Sequence, residues 1–64
     1  QLTRRQTEIL KWAAVGKTSW EIGRILQISE ATVNFHLATA ASNLSVRGRR
    51  AACAKALALG FISL

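Results

Sequence analysis

Apolar residues recur at helical spacing in four runs, and each run opens on a hydroxyl-bearing residue or a glycine. From Arg4 to about Val15, the residues Ile9, Leu10, Trp12 and Ala13 share one broad face, the spacing expected of an amphipathic helix. Thr3 stands at the N-cap position and Gln6, three residues on, completes a capping box. Gly16 stands where a left-handed residue ends a helix. A second helix is predicted to start after Thr18, with Glu21 closing another capping box. Ile22, Ile25 and Leu26 fall on one arc of it, and Trp20 points roughly the opposite way. A third runs from Ser29 to about Asn43, with Val33, Leu37, Ala40, Ala41 and Leu44 as its buried stripe. A fourth spans roughly Gly48 to Leu59, turning Ala52, Cys53, Ala56 and Leu59 inward. No segment alternates apolar and polar residues for long, proline is absent and alanine is abundant. The pattern therefore predicts an all-α domain of four helices with no linker and no repeat.

The third helix is unusual on its outer side. Advancing about 100° per residue from Val33 puts Ala31, Phe35, Ala38 and Ser42 opposite the core. Asn34 lies along one edge, and His36, Thr39 and Asn43 along the other. An outer helix face normally carries Lys, Glu or Arg; this one has none beyond Glu30 at its start. Two readings stand for Phe35: an anchor for another protein, or a contact to thymine methyl groups in a major groove about 12 Å wide, which a slim helix can enter. Asn34 has the donor and acceptor needed to pair N6 and N7 of adenine, and reads equally well as a solvated polar residue. Ser29 and Thr32 place hydroxyls at the helix start, where free N–H groups and the positive dipole end suit phosphate.

Charge narrows the choice. Nine basic residues face three acidic ones, Glu8, Glu21 and Glu30, for a net charge of +6 and a pI near 11.4. A pI above roughly 9 marks a candidate nucleic-acid binder, although basic charge also favours membranes and acidic proteins. Arg47, Arg49 and Arg50 crowd the start of the fourth helix, against its dipole, a placement that makes sense beside phosphate. Lys17 precedes the second helix and can reach the same backbone. At 64 residues the chain suits one small domain. One cysteine and one histidine exclude an internal disulfide and a structural zinc site within the chain. The longest apolar run falls short of the ~18 residues of a membrane span. No carboxylate pair, nucleophile with a base, or glycine-rich phosphate loop occurs, so neither catalysis nor a cofactor nor a metal is expected. The chain starts at Gln1 rather than methionine, which suggests a piece of a longer protein.

The residues Leu2-Thr3, Glu8-Ile9-Leu10, Ala14, Gly16-Lys17-Thr18, Glu21-Ile22, Leu26, Ile28-Ser29, Thr32-Val33, His36, Leu44, Val46, Arg49 and Ala52 together resemble the LuxR-type (GerE-like) helix-turn-helix domain. The resemblance runs from Leu2 to about Ile62. The stretches GKTSWEI and ISEATVNFH look most like the acyl-homoserine-lactone, quorum-sensing branch. It implies a four-helix bundle over residues 1–64, the C-terminal DNA-binding part of a cytoplasmic bacterial transcription regulator. It implies a third helix in the major groove, with base contacts at Asn34, Phe35 and Ala38. Phosphate contacts are implied at Thr18, Ser29, Thr32, His36, Asn43 and Arg49. It also implies a homodimer on an inverted-repeat site in double-stranded DNA, joined through the fourth helix. There the small outer residues Ala51, Ala54 and Ala58, bordered by Arg50 and Lys55, would let two helices approach.

Some positions depart from the family's pattern. Gln27 stands where the turn usually has glycine, at a cost of roughly 1–2 kcal/mol if its backbone is left-handed. Asn43 replaces a common lysine, Ala38 a longer polar side chain, and Gln6 a frequent glutamate. A reading from another class remains beside this one: a helical protein-interaction module anchored by Phe35 and Trp20. The residues leave Trp20 open to DNA backbone, to another domain, or to no contact at all.

Overall fold

Thr3, Thr18 and Ser29 each start a helix by the same local chemistry. Their backbones are extended, and each hydroxyl accepts from the N–H three residues on, satisfying a donor that the helix itself leaves free. The computed structural model, which describes residues 1–64, contains α1 (Arg4–Ala14), α2 (Ser19–Leu26), α3 (Glu30–Asn43) and α4 (Arg49–Ala58). There is no strand. Both predicted capping boxes form: Gln6 Oε1 accepts from Thr3 N at 2.9 Å and Glu21 Oε1 from Thr18 N at 2.8 Å.

The helix ends are equally local. Gly16 has φ +98°, and the N–H groups of Gly16 and Lys17 return to the carbonyls of Ala13 and Trp12, closing the first helix. Gln27 ends α2 at φ 60°, and Ser45 follows α3 at φ 60°. The departure at Gln27 is therefore a left-handed glutamine.

α3 packs against the other three helices. Ile9 and Leu10 of α1, Ile22 of α2, Val33, Leu37, Ala40 and Ala41 of α3, and Ala52 and Ala56 of α4 make the core, with Leu44 and Ile62. Two expectations fail. Ile25 is 42% exposed rather than buried, because α2 is only eight residues long and packs only against α3 and α1. Leu59 is 56% exposed: it is the C-cap of α4, and the chain turns back at Gly60. Ile62 takes the inward position instead, with Phe61 and Ile62 N–H groups donating to the Ala56 carbonyl. Cys53 is half-buried beside the Leu10 carbonyl; burial pushes its thiol pKa up, and nearby Arg49 partly opposes this.

Two polar ties cross the core's edge. Gln6 is buried; its Nε2 donates to Thr39 Oγ1 at 3.1 Å, and its Oε1 accepts from Asn43 Nδ2 at 3.3 Å. Two of the departures from the family pattern, Gln6 and Asn43, thus meet as a neutral pair between α1 and α3. The second tie is Arg49, whose Nη2 donates to the Lys17 carbonyl at 2.9 Å and whose Nη1 donates to Ser19 Oγ at 3.0 Å. It fixes the start of α4 to the start of α2.

Candidate nucleic-acid interface

The outer side of α3 is as slim as its spacing predicts. Ala31, Asn34, Phe35, Ala38, Ser42 and Asn43 are exposed, and His36 and Thr39 are half-buried. Phe35 is 63% exposed and meets the His36 ring edge-on, centroids 5.7 Å apart. Nothing in the bundle holds this phenylalanine, so the bundle's own stability does not account for it.

Basic residues flank one edge of that face. An open groove of about 570 Å³ is lined by Asn34, Ala38 and Ser42 of α3 together with Arg47, Gly48 and Arg49. Asn34 is joined to the start of α2, since its Oδ1 accepts from Ser19 Oγ at 2.5 Å. A neighbouring depression is lined by Lys17, Thr18, Arg49 and Arg50. The fold thus gathers the beginnings of α2 and α4 along one edge of α3, although they lie some thirty residues apart in sequence.

The starts of α2 and α3 hold unpaired donors. Capping uses the N–H groups of Glu21 and Thr32, leaving those of Ser19 and Trp20, and of Glu30 and Ala31, without partners in the chain. Ser29 and Thr32 hydroxyls share one hydrogen bond of 2.8 Å, so one of the two O–H groups is spare. Such helix starts suit phosphate oxygens. Thr18 Oγ1 accepts from Glu21 N. The Thr18 N–H, above all, holds the Glu21 carboxyl below its ordinary pKa, with the Thr18 hydroxyl and Lys17 adding to the effect.

The remaining expected contacts are dispersed. Arg47 and Arg50 are exposed and Arg49 is half-buried, with two of its donors already committed to α2. Asn43 lies on the opposite edge of α3, bonded to Gln6 and to the Gln1 carbonyl. His36 lies seven residues earlier on α3, about two helical turns away. On α4, Ala51, Ala54 and Ala58 are exposed and Lys55 is half-buried, a separate surface. Trp20 is 56% exposed, with the Arg24 guanidinium 5.1 Å from its ring. Sequence reasoning did not single out Ser19 or Gly23. Ser19 bonds residues 15 and 30 positions away, and no local pattern signals that. Gly23 did carry a signal, a glycine inside a helix.

Comparison with known proteins agrees with this geometry. The family described as "Bacterial regulatory proteins, luxR family" matches residues 1–56. The chain is 59% identical over 64 residues to the HTH-type quorum sensing-dependent transcriptional regulator RpaR of Rhodopseudomonas palustris, covering 100% of the chain and 26% of that protein. It is 46% identical over 61 residues to the transcriptional activator LuxR of Aliivibrio fischeri, covering 95% of the chain and 24% of that protein. The chain thus spans about a quarter of the length of the curated relatives it matches. The solved structure of the transcription factor GerE superposes with a TM-score of 0.91 at 35% identity, over 97% of this chain and 92% of that one. The chain belongs to the luxR family of bacterial regulatory proteins, a family of transcription regulators and not of enzymes, and it is a DNA-binding domain of the helix-turn-helix type.

Proposed function

We propose that the chain reads a specific sequence in double-stranded DNA, with α3 lying lengthwise in the major groove. Asn34, Phe35 and Ala38 face the base edges. Lys17, Thr18, Ser29, Thr32, His36, Asn43, Arg47 and Arg49 meet the phosphates. Two copies pair through Ala51, Ala54, Lys55 and Ala58 of α4, so that two half-sites of an inverted repeat are read about one DNA turn apart. The regulator that carries this domain acts in the bacterial cytoplasm and responds to a quorum signal, as does its relative, the quorum sensing-dependent regulator RpaR. No helix is long and apolar enough to cross a membrane.

One observation carries the reading. The outer side of α3 from Ala31 to Ser42 bears no charged side chain, whereas its edge forms a groove with Arg47 and Arg49 at the start of α4, and Lys17 and Thr18 line a neighbouring depression with Arg49. A narrow neutral ridge can reach base edges while the charge beside it meets the phosphates. Binding titrations test it. Asn34→Ala should lose about 1–3 kcal/mol on the preferred duplex and far less on a scrambled one. Equal losses on both duplexes overturn base reading by Asn34.

The second reading is a protein-docking module anchored by Phe35 and Trp20, favoured by the exposed Trp20–Arg24 stack. It predicts weak DNA affinity with no preference among sequences, in the same titrations.

A further inference from the structure

The hydroxyl of Ser19 stands between two side chains from other helices. Arg49 Nη1 donates to it at 3.0 Å, and it lies 2.5 Å from Asn34 Oδ1. A guanidinium can only donate, so Arg49 occupies one lone pair of the oxygen, and the hydroxyl proton is directed at Asn34 Oδ1. The separation fits O–H···O bonds, about 2.5–3.0 Å, and is shorter than the ~2.7 Å at which N–H···O bonds begin. The carboxamide oxygen therefore faces Ser19. Ser19 itself is buried, 6% exposed, and Arg49 is anchored independently by its bond to the Lys17 carbonyl. Asn34 is exposed and its Nδ2 hydrogens have no partner in the chain.

We propose that Ser19 is a positioning residue for base recognition. Braced by Arg49, it fixes the Asn34 carboxamide in one orientation before DNA arrives and presents a hydrogen-bond donor outward. A free asparagine offers its donor and acceptor in either order by flipping the amide. A pinned one selects a base edge with an acceptor, which in the major groove means purine N7, guanine O6 or thymine O4. Because the side chain is ordered on folding, its rotamer freedom is no longer lost on binding. The inference rests on Asn34 being a base contact.

Selection from a pool of randomised duplexes, read by sequencing, tests both levels. Asn34→Ala should flatten the preference at one base-pair position. Ser19→Ala should weaken the preference at that same position roughly three- to tenfold and leave the others unchanged. The double variant should match Asn34→Ala alone. Asn34→Asp keeps an acceptor for Ser19 but turns an acceptor outward, so preference should move to adenine N6 or cytosine N4. A Ser19→Ala variant with wild-type preference at the Asn34 position, or with an even loss at every position, overturns the positioning role alone. An Asn34→Ala variant with no change at any position overturns base reading as well. A measurement on the unsubstituted chain needs no variant to fold: three-bond couplings should show one χ1 rotamer for Asn34 without DNA, and rotamer averaging overturns the proposal.

Discussion

Gly23 lies against the backbone of Ile28: a Cβ added to it would stand 2.6 Å from the Ile28 carbonyl oxygen. The same two residues are joined by a bond of 3.0 Å from the Ile28 N–H to the Gly23 carbonyl. The contact is backbone on backbone, so no flexible side-chain end can move aside. In an exposed helix, Gly→Ala would gain about 0.5–1 kcal/mol. Here Gly23→Ala should instead destabilise the fold by roughly 1–3 kcal/mol, as overpacking does. Denaturant unfolding checks this; a raised midpoint contradicts it.

At Gln27 the opposite sign is expected. Its φ of 60° carries roughly 1–2 kcal/mol of left-handed strain. Glycine relieves that strain but adds about 0.4–1 kcal/mol of unfolded-chain freedom. Gln27→Gly should therefore stabilise the domain by up to about 1.5 kcal/mol, with unchanged slope in denaturant. A lower midpoint would show that the glutamine side chain contributes more than its backbone costs.

Arg49, unlike Arg47, also ties the fold together. Arg49→Ala removes the donors to the Lys17 carbonyl and the buried Ser19 hydroxyl, and should cost roughly 1–3 kcal/mol of stability. Exposed Arg47 makes no bond within the chain. Arg47→Ala should leave the unfolding midpoint in place and reduce the log–log salt slope of DNA binding by about 0.9. Unchanged stability in the first variant or an unchanged slope in the second contradicts these assignments.

The start of α2 should respond to acid. The Glu21 carboxyl is held below its ordinary pKa chiefly by the Thr18 N–H. A lowered folded-state pKa means that the contribution is complete above the ordinary glutamate range and is lost as pH falls through the lowered value. Amide exchange of Thr18, Glu21 and Ile22, whose N–H groups are bonded within this capping box and first turn, should quicken as pH drops through that window, after correction for intrinsic rates. Glu21→Gln should remove this dependence; a variant that keeps it would place its origin elsewhere.

What was legible in the sequence was whatever acts locally. Thr3, Thr18 and Ser29 mark helix starts because a cap needs only its own next turn, and Gly16 marks an end for the same reason. The buried stripe of α3 was legible because that helix is packed by all three others, so periodicity alone names its core. Ile25 and Leu59 were misplaced because a helical wheel gives direction but not where the neighbouring helix stops. Ile62 was hidden behind Gly60. Ser19 and Arg49 were opaque for another reason: their partners lie 15 to 32 residues away, and only the folded bundle brings them to α3. The neutral, slender outer side of α3 was visible at once, and the basic rim along its edge emerged only with the fold.

The central claim is that this side of α3 lies against base pairs. Intermolecular nuclear Overhauser effects in a complex with a selected duplex test it most directly. Cross-peaks are expected from the Phe35 ring and the Ala38 methyl to thymine methyls or other major-groove base protons. Contacts confined to Trp20 or α1, with Phe35 and Ala38 silent towards DNA, would contradict it.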